Sequence, residues 1–228
     1  MNENSVTLTE RTIGGVHQAL ISRAMRLKIG ADEPILDIGC GTGAWLSRLA
    51  DVGYTNLYGV DRDLGSVGFG AATYDSVDLD TATHLSFKVN SFKLITAIEV
   101  LEHLVNPGNF FTLVSRYMSP DGYLLVTSPN IHSIICRLRF LITGKLKQFD
   151  DKGDQTHIYP VLLTSLERLL PRYNLSIAQR WCFPDNGSSP TTVSRSLRVS
   201  GALLRRILPE PMAGDVMCLL ITRVRGHD

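Results

Sequence analysis

The stretch Ile35–Ala50, ILDIGCGTGAWLSRLA, admits few folds. Three apolar side chains around one acid read as a buried strand, glycines at 39, 41 and 43 break it, and a helical pattern follows. Glycine in that place lets the backbone turn tightly and lets a ligand approach where a side chain would stand. The first turn of the next helix adds unpaired N–H groups. A strand, glycine turn and helix in this order belong to a sheet whose ligand lies beyond the carboxyl ends of its strands.

The rest of the chain keeps the same rhythm. PILDIG, NLYGVD, ATYDSVDL, FKLITAIEV and YLLVTSPN read as strands, and GAWLSRLADVG and LEHLVNPGNFFTLVSRYMSPDG as helical stretches between them. Such alternation predicts an α/β fold with a doubly wound, Rossmann-like, mostly parallel sheet covered by helices on both faces. Ahead of it, the spacing of Ile13, Val16, Leu20, Ile21, Ala24 and Leu27 predicts a leading helix over Thr9–Ile29, stopped by Gly30. Beyond Asn130 the alternation is interrupted by IHSIICRLRFLITGKLKQF, apolar and basic, with no acid between Ile131 and Phe149. Such a segment suits a membrane interface or a cover over an apolar or anionic ligand, and it is read here as an inserted helical lid with its apolar face buried.

A helix in PVLLTSLERLLPRY, a strand in NLSIAQRWCF, a loop over Pro184–Pro190, a basic amphipathic helix in TVSRSLRVSGALLRRILP and a strand in DVMCLLITRV complete the chain. The 228 residues are expected to form one domain. It divides into a leading helix (1–30), a ligand-binding core (31–130), a lid (131–157) and a closing helix and strand part (158–228).

Lysine and arginine number 23 against 22 acids, a net charge of +1, so no broad basic field calls for nucleic acid. The four cysteines, Cys40, Cys136, Cys182 and Cys218, form no CxxC pair and read as reduced thiols of a cytoplasmic protein. No run reaches the roughly 18 apolar residues that span a bilayer, and the first residues lack a signal-peptide pattern. Peripheral membrane contact stays open, and oligomeric state is not legible.

As a bare pattern GCGTGA also fits the dinucleotide fingerprint G-x-G-x-x-A. The acids nearby choose between ligands. Asp37 stands immediately before the loop, where a pyrophosphate has little use for a carboxylate but an ammonium group gains from one. Asp61 ends NLYGVD, where an acid after the second strand accepts from both ribose hydroxyls. Asp78, in SVDLD, ends the third strand and can accept from an adenine amino group, with the Leu79 backbone beside the ring. Three strand ends thus surround one nucleoside, and the pattern favours a sulfonium amino acid over NAD.

In order and spacing, ILDIGCGTG, YGVD, VDLD, FKLITAIEVLEHL and MSPDGYLLVTSPN resemble the successive motifs of class I S-adenosylmethionine-dependent methyltransferases. The likeness is to the subgroup with the ubiquinone-biosynthesis O-methyltransferases and related small-molecule and glycan methyltransferases. It covers Pro34 to Asn130, and THIYPVLLTSLERLLPRYNLSI resembles a later stretch of that subgroup. The resemblance implies a seven-stranded sheet and S-adenosyl-L-methionine as cofactor. It puts Gly39, Cys40 and Gly41 along the methionine, Asp61 and Arg62 at the ribose and adenine, Asp78 and Leu79 at the adenine edge, and Ile98 and Glu99 beside the sulfonium. One departure is Lys93, where the subgroup usually carries an acid; weaker local packing is expected there rather than loss of binding.

A sulfonium is already activated, so the protein must exclude water, align an acceptor and help remove its proton. His103 and His157 are the candidate bases, since imidazole titrates near neutrality. The bland alternatives are that His103 packs at the sheet edge and His157 caps the helix starting near Pro160. Glu99, Glu102, His103 and His157 also resemble the ExxEH-plus-His set of metal-assisted O-methyltransferases, including small-RNA 2′-O-methyltransferases. A solvent-facing Glu102 gives the same letters, and no metal is assigned from the sequence. The expected acceptor is a small molecule, lipid-linked precursor or sugar, with oxygen favoured. A metal-assisted RNA methyltransferase and a noncatalytic cofactor-binding partner protein are the rival readings.

Overall fold

In the computed structural model, which describes residues 8–184 and 214–224, the glycine loop leaves a strand inside a seven-stranded sheet. The strands are β1 (Ile35–Ile38), β2 (Leu57–Asp61), β3 (Thr73–Ser76), β4 (Phe92–Ile98), β5 (Met118–Pro129), β6 (Leu175–Phe183) and β7 (Val216–Arg223). They lie in the order β3-β2-β1-β4-β5-β7-β6. The pairs from β3 through β5 are parallel, and β7 runs antiparallel to both of its neighbours. The chain moves outward from β1 to β3 and then returns to the other side of β1 as β4. That reversal opens a crevice at the carboxyl ends of β1 and β4, where doubly wound sheets hold their ligands.

Helices cover both faces: α1 (Val16–Arg26), α2 (Ala44–Asp51), α3 (Pro107–Tyr117), α4 (Ile134–Thr143) and α5 (Leu163–Leu169). Leu36 and Ile38 of β1 pack with Phe110, Phe111 and Leu166 from α3 and α5, while Ile35 packs with Leu20, Trp45 and Leu49 from α1 and α2. Every residue of β1 is therefore buried, Asp37 included. Neighbouring parallel strands are apolar for the same reason, being covered on both faces. Trp45 ties the layers together: its indole N–H donates to the Thr96 hydroxyl at 3.0 Å, which donates to Asp37 Oδ1 at 2.7 Å.

The structure shortens the leading helix. It begins at Val16 because Gly15 before it takes φ +91°, and it ends at Arg26 with Lys28 left-handed at φ +54°. Thr9–Ile13 thus lies outside the helix, and Gly30 is not its stop. β5 starts directly after α3, at Met118, and takes in the MSPDG expected to close the helical stretch. The register against β4 shifts between Phe92 and Leu94 to accommodate the extra residues.

In the insertion, Ser133 Oγ accepts from the Cys136 N–H at 3.2 Å to cap α4, and Gly144 ends it at φ +67°. Its apolar face is not buried as expected: Ile135 and Cys136 are covered, whereas Phe140, Leu141 and Ile142 are exposed. Lys93 pairs with Asp121 at the far end of β4 from the crevice, so the departure falls outside the site. The basic segment TVSRSLRVSGALLRRILP and the loop beyond Pro184 lie outside the described residues. All four cysteines are buried, and none is in a disulfide.

Gly39 shows why the loop needs glycine. Its φ is +74°, and a Cβ there would stand 2.6 Å from Val100 Cγ2. Gly39→Ala is expected to lower the unfolding free energy by about 2–3 kcal/mol in chemical denaturation, the sum of left-handed strain and a core overlap. An unchanged midpoint would contradict this geometry.

Candidate functional site

A cavity of about 1070 Å³ opens over the carboxyl ends of β1, β2 and β4, and every candidate cofactor-binding and catalytic residue from the sequence lines it, whereas Glu102 does not. Gly39 and Cys40 both donate their N–H groups to the Val60 carbonyl, which bends the loop across β2. Gly41 follows with φ +51°, donating its N–H to Asp61 Oδ2 at 2.8 Å. Asp61 Oδ1 accepts from the Asp63 N–H at 3.1 Å, so one carboxylate braces the loop and the turn after β2 together. Each of its oxygens keeps a further lone pair for a ligand. Arg62 is exposed at the rim.

Asp78 and Leu79 stand just beyond β3 rather than on it. The Leu79 carbonyl accepts from Asn109 Nδ2 at 2.8 Å, and Asp78 Oδ1 from the Asp80 N–H at 3.0 Å. These bonds hold Asp78 and Leu79 in place along the cavity wall.

At the other end lie buried acids. Asp37 is 3 % exposed, and burial pushes its pKa up to about 7 against the pull of the Thr96 hydrogen bond. Ile98 ends β4, and Glu99 after it adopts φ +55°, uncommon for a residue with a side chain. Its N–H lies 3.0 Å from Thr127 Oγ1, which donates to Glu99 Oε1 at 3.0 Å, and burial pushes the Glu99 pKa up to about 7. Glu102 sits on the one-turn helix Leu101–His103 and is fully buried, which overturns the solvent-facing reading of this residue. Burial, and secondarily the charge of Glu99, hold its pKa well above the carboxylate range.

His103 and His157 meet at this end with ring centroids 4.8 Å apart. Burial lowers the His103 pKa, and His157 beside it lowers it further, so the imidazole is neutral at pH 7. His157 does not cap α5. That part falls to His132, whose Nε2 accepts from the Leu163 N–H at 3.1 Å. The expected lid also divides: α4 gives nothing to the cavity wall, and the loop after it gives Gln148, Asp154, Thr156 and His157.

One wall went unread in the sequence. Thr9–Ile13 and His17 line the cavity, held by a bond from the Thr9 N–H to Thr42 Oγ1 at 3.1 Å and by an ion pair between Glu10 and Arg48. The adjacent glycines at 14 and 15 were the available signal that the chain breaks before α1.

Residues 13–180 match a family model described as a methyltransferase domain. The chain belongs to that family. It carries the methyltransferase domain of the class I S-adenosylmethionine-dependent family, with the seven-stranded fold of that class. A methyltransferase of Mycolicibacterium smegmatis, named as S-adenosylmethionine-dependent, is 30% identical over 132 residues, 53% of this chain and 50% of that one. The chain thus spans about half the length of that relative. A ubiquinone biosynthesis O-methyltransferase of Rhizobium etli is 26% identical over 181 residues, 75% of this chain and 72% of that one. Among solved structures, geranyl diphosphate C-methyltransferase from Streptomyces coelicolor, in complex with Mg²⁺, geranyl diphosphate and S-adenosyl-L-homocysteine, superposes with a TM-score of 0.59. That pair is 12% identical, with 97% of this chain and 86% of that one covered. Among the described residues no helix is long and apolar enough to cross a membrane.

The buried Asp37 gives this methyltransferase a pH signature. Its pKa of about 7 lies above the usual 3.8, so the folded form binds a proton that the unfolded form releases, and stability falls as pH rises from about 4 to 7. Asp37→Asn removes that loss. The variant is expected to be more stable than the parent at pH 8 without ligand, by up to about 4 kcal/mol, with the gap closing below pH 4. Denaturant titrations at the two pH values check this, and a variant less stable at pH 8 would contradict it.

Proposed function

We propose that the protein moves the methyl group of S-adenosyl-L-methionine to an oxygen of a small-molecule, lipid-linked or sugar acceptor. The observation that carries the reading is the polarity of the cavity. In the strand order β3-β2-β1-β4, Asp78 follows β3 and Asp61 ends β2 on one side, Asp37 lies in β1 and Glu99 just after β4, and the His103–His157 pair lines the same cavity after Glu99. The ribose and adenine belong with Asp61, Arg62, Asp78 and Leu79. The ammonium belongs with Asp37 along Gly39, Cys40 and Gly41, and the sulfonium with Ile98 and Glu99. The acceptor then stands against the two histidines.

In the transfer the acceptor's O–H bond breaks and its proton passes to solvent by way of the histidine end. The oxygen attacks the methyl carbon in line with the breaking S–CH₃ bond, leaving S-adenosyl-L-homocysteine. A site of about 1070 Å³ exceeds the usual range of about 300–1,000 Å³ for small-ligand pockets, as one that must hold cofactor and acceptor together should. The ubiquinone O-methyltransferase names among the relatives support oxygen as the acceptor atom.

Calorimetry with S-adenosyl-L-homocysteine and a transfer assay over hydroxylated, amine and carbon acceptors test the reading. Asp61→Ala is expected to weaken binding about tenfold to a hundredfold, the value of a hydrogen bond to a charged group. Methyl transfer confined to amine or carbon acceptors would overturn the oxygen assignment, and Asp61→Ala binding as tightly as the parent would overturn the ribose assignment.

A further inference from the structure

A second cavity, of about 180 Å³, lies between the last turns of α1 and the β5-β7-β6 side of the sheet, and it shares no lining residue with the cofactor site. Its floor is one row of the sheet. Leu125 of β5 pairs with Leu220 of β7, which pairs with Gln179 of β6, so the three side chains stand side by side. They are on the α1 face, since Leu125 packs in the cluster that holds Leu20 and Ala24.

A bulge sets this arrangement. Ile177 pairs with Ile221 and Gln179 with Leu220, which leaves Ala178 as an extra residue on β6. Successive strand residues alternate faces, so without the extra residue Ala178 and Arg180 would stand on the α1 face in place of Gln179 and Trp181. The bulge aims an amide and an indole at the helix.

From the helix come Arg23 and Arg26, three residues apart and therefore neighbours on its surface. The Arg23 guanidinium lies 4.6 Å from the centroid of the Trp181 ring, a stacked contact that holds it over the floor. Neither guanidinium has an acid or carbonyl partner among the described residues, whereas Arg48, Arg139 and Lys147 are each paired with an acid. Cations in the last turn of a helix complement its dipole. Here, however, the Ala24 and Met25 carbonyls already accept from the Leu27 and Lys28 N–H groups at 3.0 and 3.3 Å, so both guanidiniums keep their donors for a ligand. The Gln179 amide and the Trp181 indole N–H are likewise without a protein partner among the described residues. No acid lines the cavity.

We propose that this cavity binds a small aromatic monocarboxylate, as a ligand site separate from the methyl-transfer centre. Two guanidiniums and no acid select an anion, and the fork of each guanidinium matches a carboxylate. Polarity runs with depth, because Leu125 and Leu220 are buried while Arg26 is exposed, so the ring goes in first and the carboxylate stays at the mouth. Size agrees: a dry cavity of about 150 Å³ holds benzene, and about 180 Å³ takes one ring with its carboxylate. A nucleotide needs a pocket of about 300 Å³ or more. An inorganic anion would leave the leucine floor uncovered. The inference goes beyond methyl transfer and does not depend on which acceptor that reaction uses.

Calorimetric titration of the full chain with benzoate tests the site, with benzamide as the probe that lacks the charge and sulfate as the probe that lacks the ring. One benzoate per chain is expected, with benzamide and sulfate each weaker by about tenfold or more. Its affinity should not change when S-adenosyl-L-homocysteine is present. Arg26→Gln, at an exposed position, and Arg23→Met, which keeps much of the apolar stem, should each weaken benzoate about tenfold or more. Thermal unfolding of the same samples shows that each variant is folded. No benzoate binding at millimolar concentration, sulfate or benzamide binding as tightly as benzoate, folded variants that keep the parent's affinity, or displacement by S-adenosyl-L-homocysteine would each overturn the site. Benzoate binding in the expected pattern by a chain that fails to bind S-adenosyl-L-homocysteine would uphold it and overturn the cofactor assignments instead.

Discussion

The structure turns on acids buried at the carboxyl ends of β1 and β4. Asp37, Glu99 and Glu102 are all withdrawn from water, with single hydroxyls from Thr96 and Thr127 as the hydrogen-bond donors to the first two. An apolar sheet covered on both faces would ordinarily exclude such groups, and each lifts its pKa rather than keep a full charge in the interior. Their position is set by the fold: β1 and β4 must be adjacent and parallel for the crevice to form, and Trp45 and Thr96 lock α2 to both strands beneath it. A site built this way suits a ligand that carries positive charge into the interior. The methionine ammonium and the sulfonium of the cofactor are such charges.

Much of this was legible because it is local. The strand, glycine turn and helix of Ile35–Ala50 declare themselves by composition alone, and the acids at 61 and 78 follow strands whose length the apolar runs define. The order of seven strands follows from the same alternation once the family pattern is recognised. Three features escaped because they depend on long-range packing. Thr9–Ile13 continues the helical spacing of α1 as letters, and only the φ of Gly15 shows that the chain turns aside to wall the cavity. Glu102 reads like any helix-surface acid until Ile158 and Tyr159 both donate to its backbone carbonyl and the chain folds over it. His132 and His157 precede α5 at distances that sequence alone cannot rank, and the loop between them decides which one caps and which one faces the cleft.

Family membership fixes the cofactor and the reaction class while leaving acceptor choice to the parts outside the shared core. Among the cavity walls these are the strap before α1 and the loop carrying Gln148, Asp154, Thr156 and His157, whereas α4, with Phe140, Leu141 and Ile142 exposed, contributes nothing to the cavity. The loop matters most for chemistry, because it brings His157 and Thr156, whose hydroxyl donates to Asp154, against His103 from more than 50 residues away in sequence. The glycine loop and the histidine pair thus come from different parts of the chain and meet across one cavity.

The most direct measurement is the heat of S-adenosyl-L-homocysteine binding at pH 7 in buffers of different ionisation enthalpy. If Asp37 sits near half protonation and meets the ligand's ammonium, binding releases up to about half a proton from that group, so the apparent heat varies with the buffer. The Asp37→Asn variant should lose that part of the dependence. Identical heats in every buffer, or proton uptake on binding, would contradict the account that these buried acids exist to receive a cationic ligand.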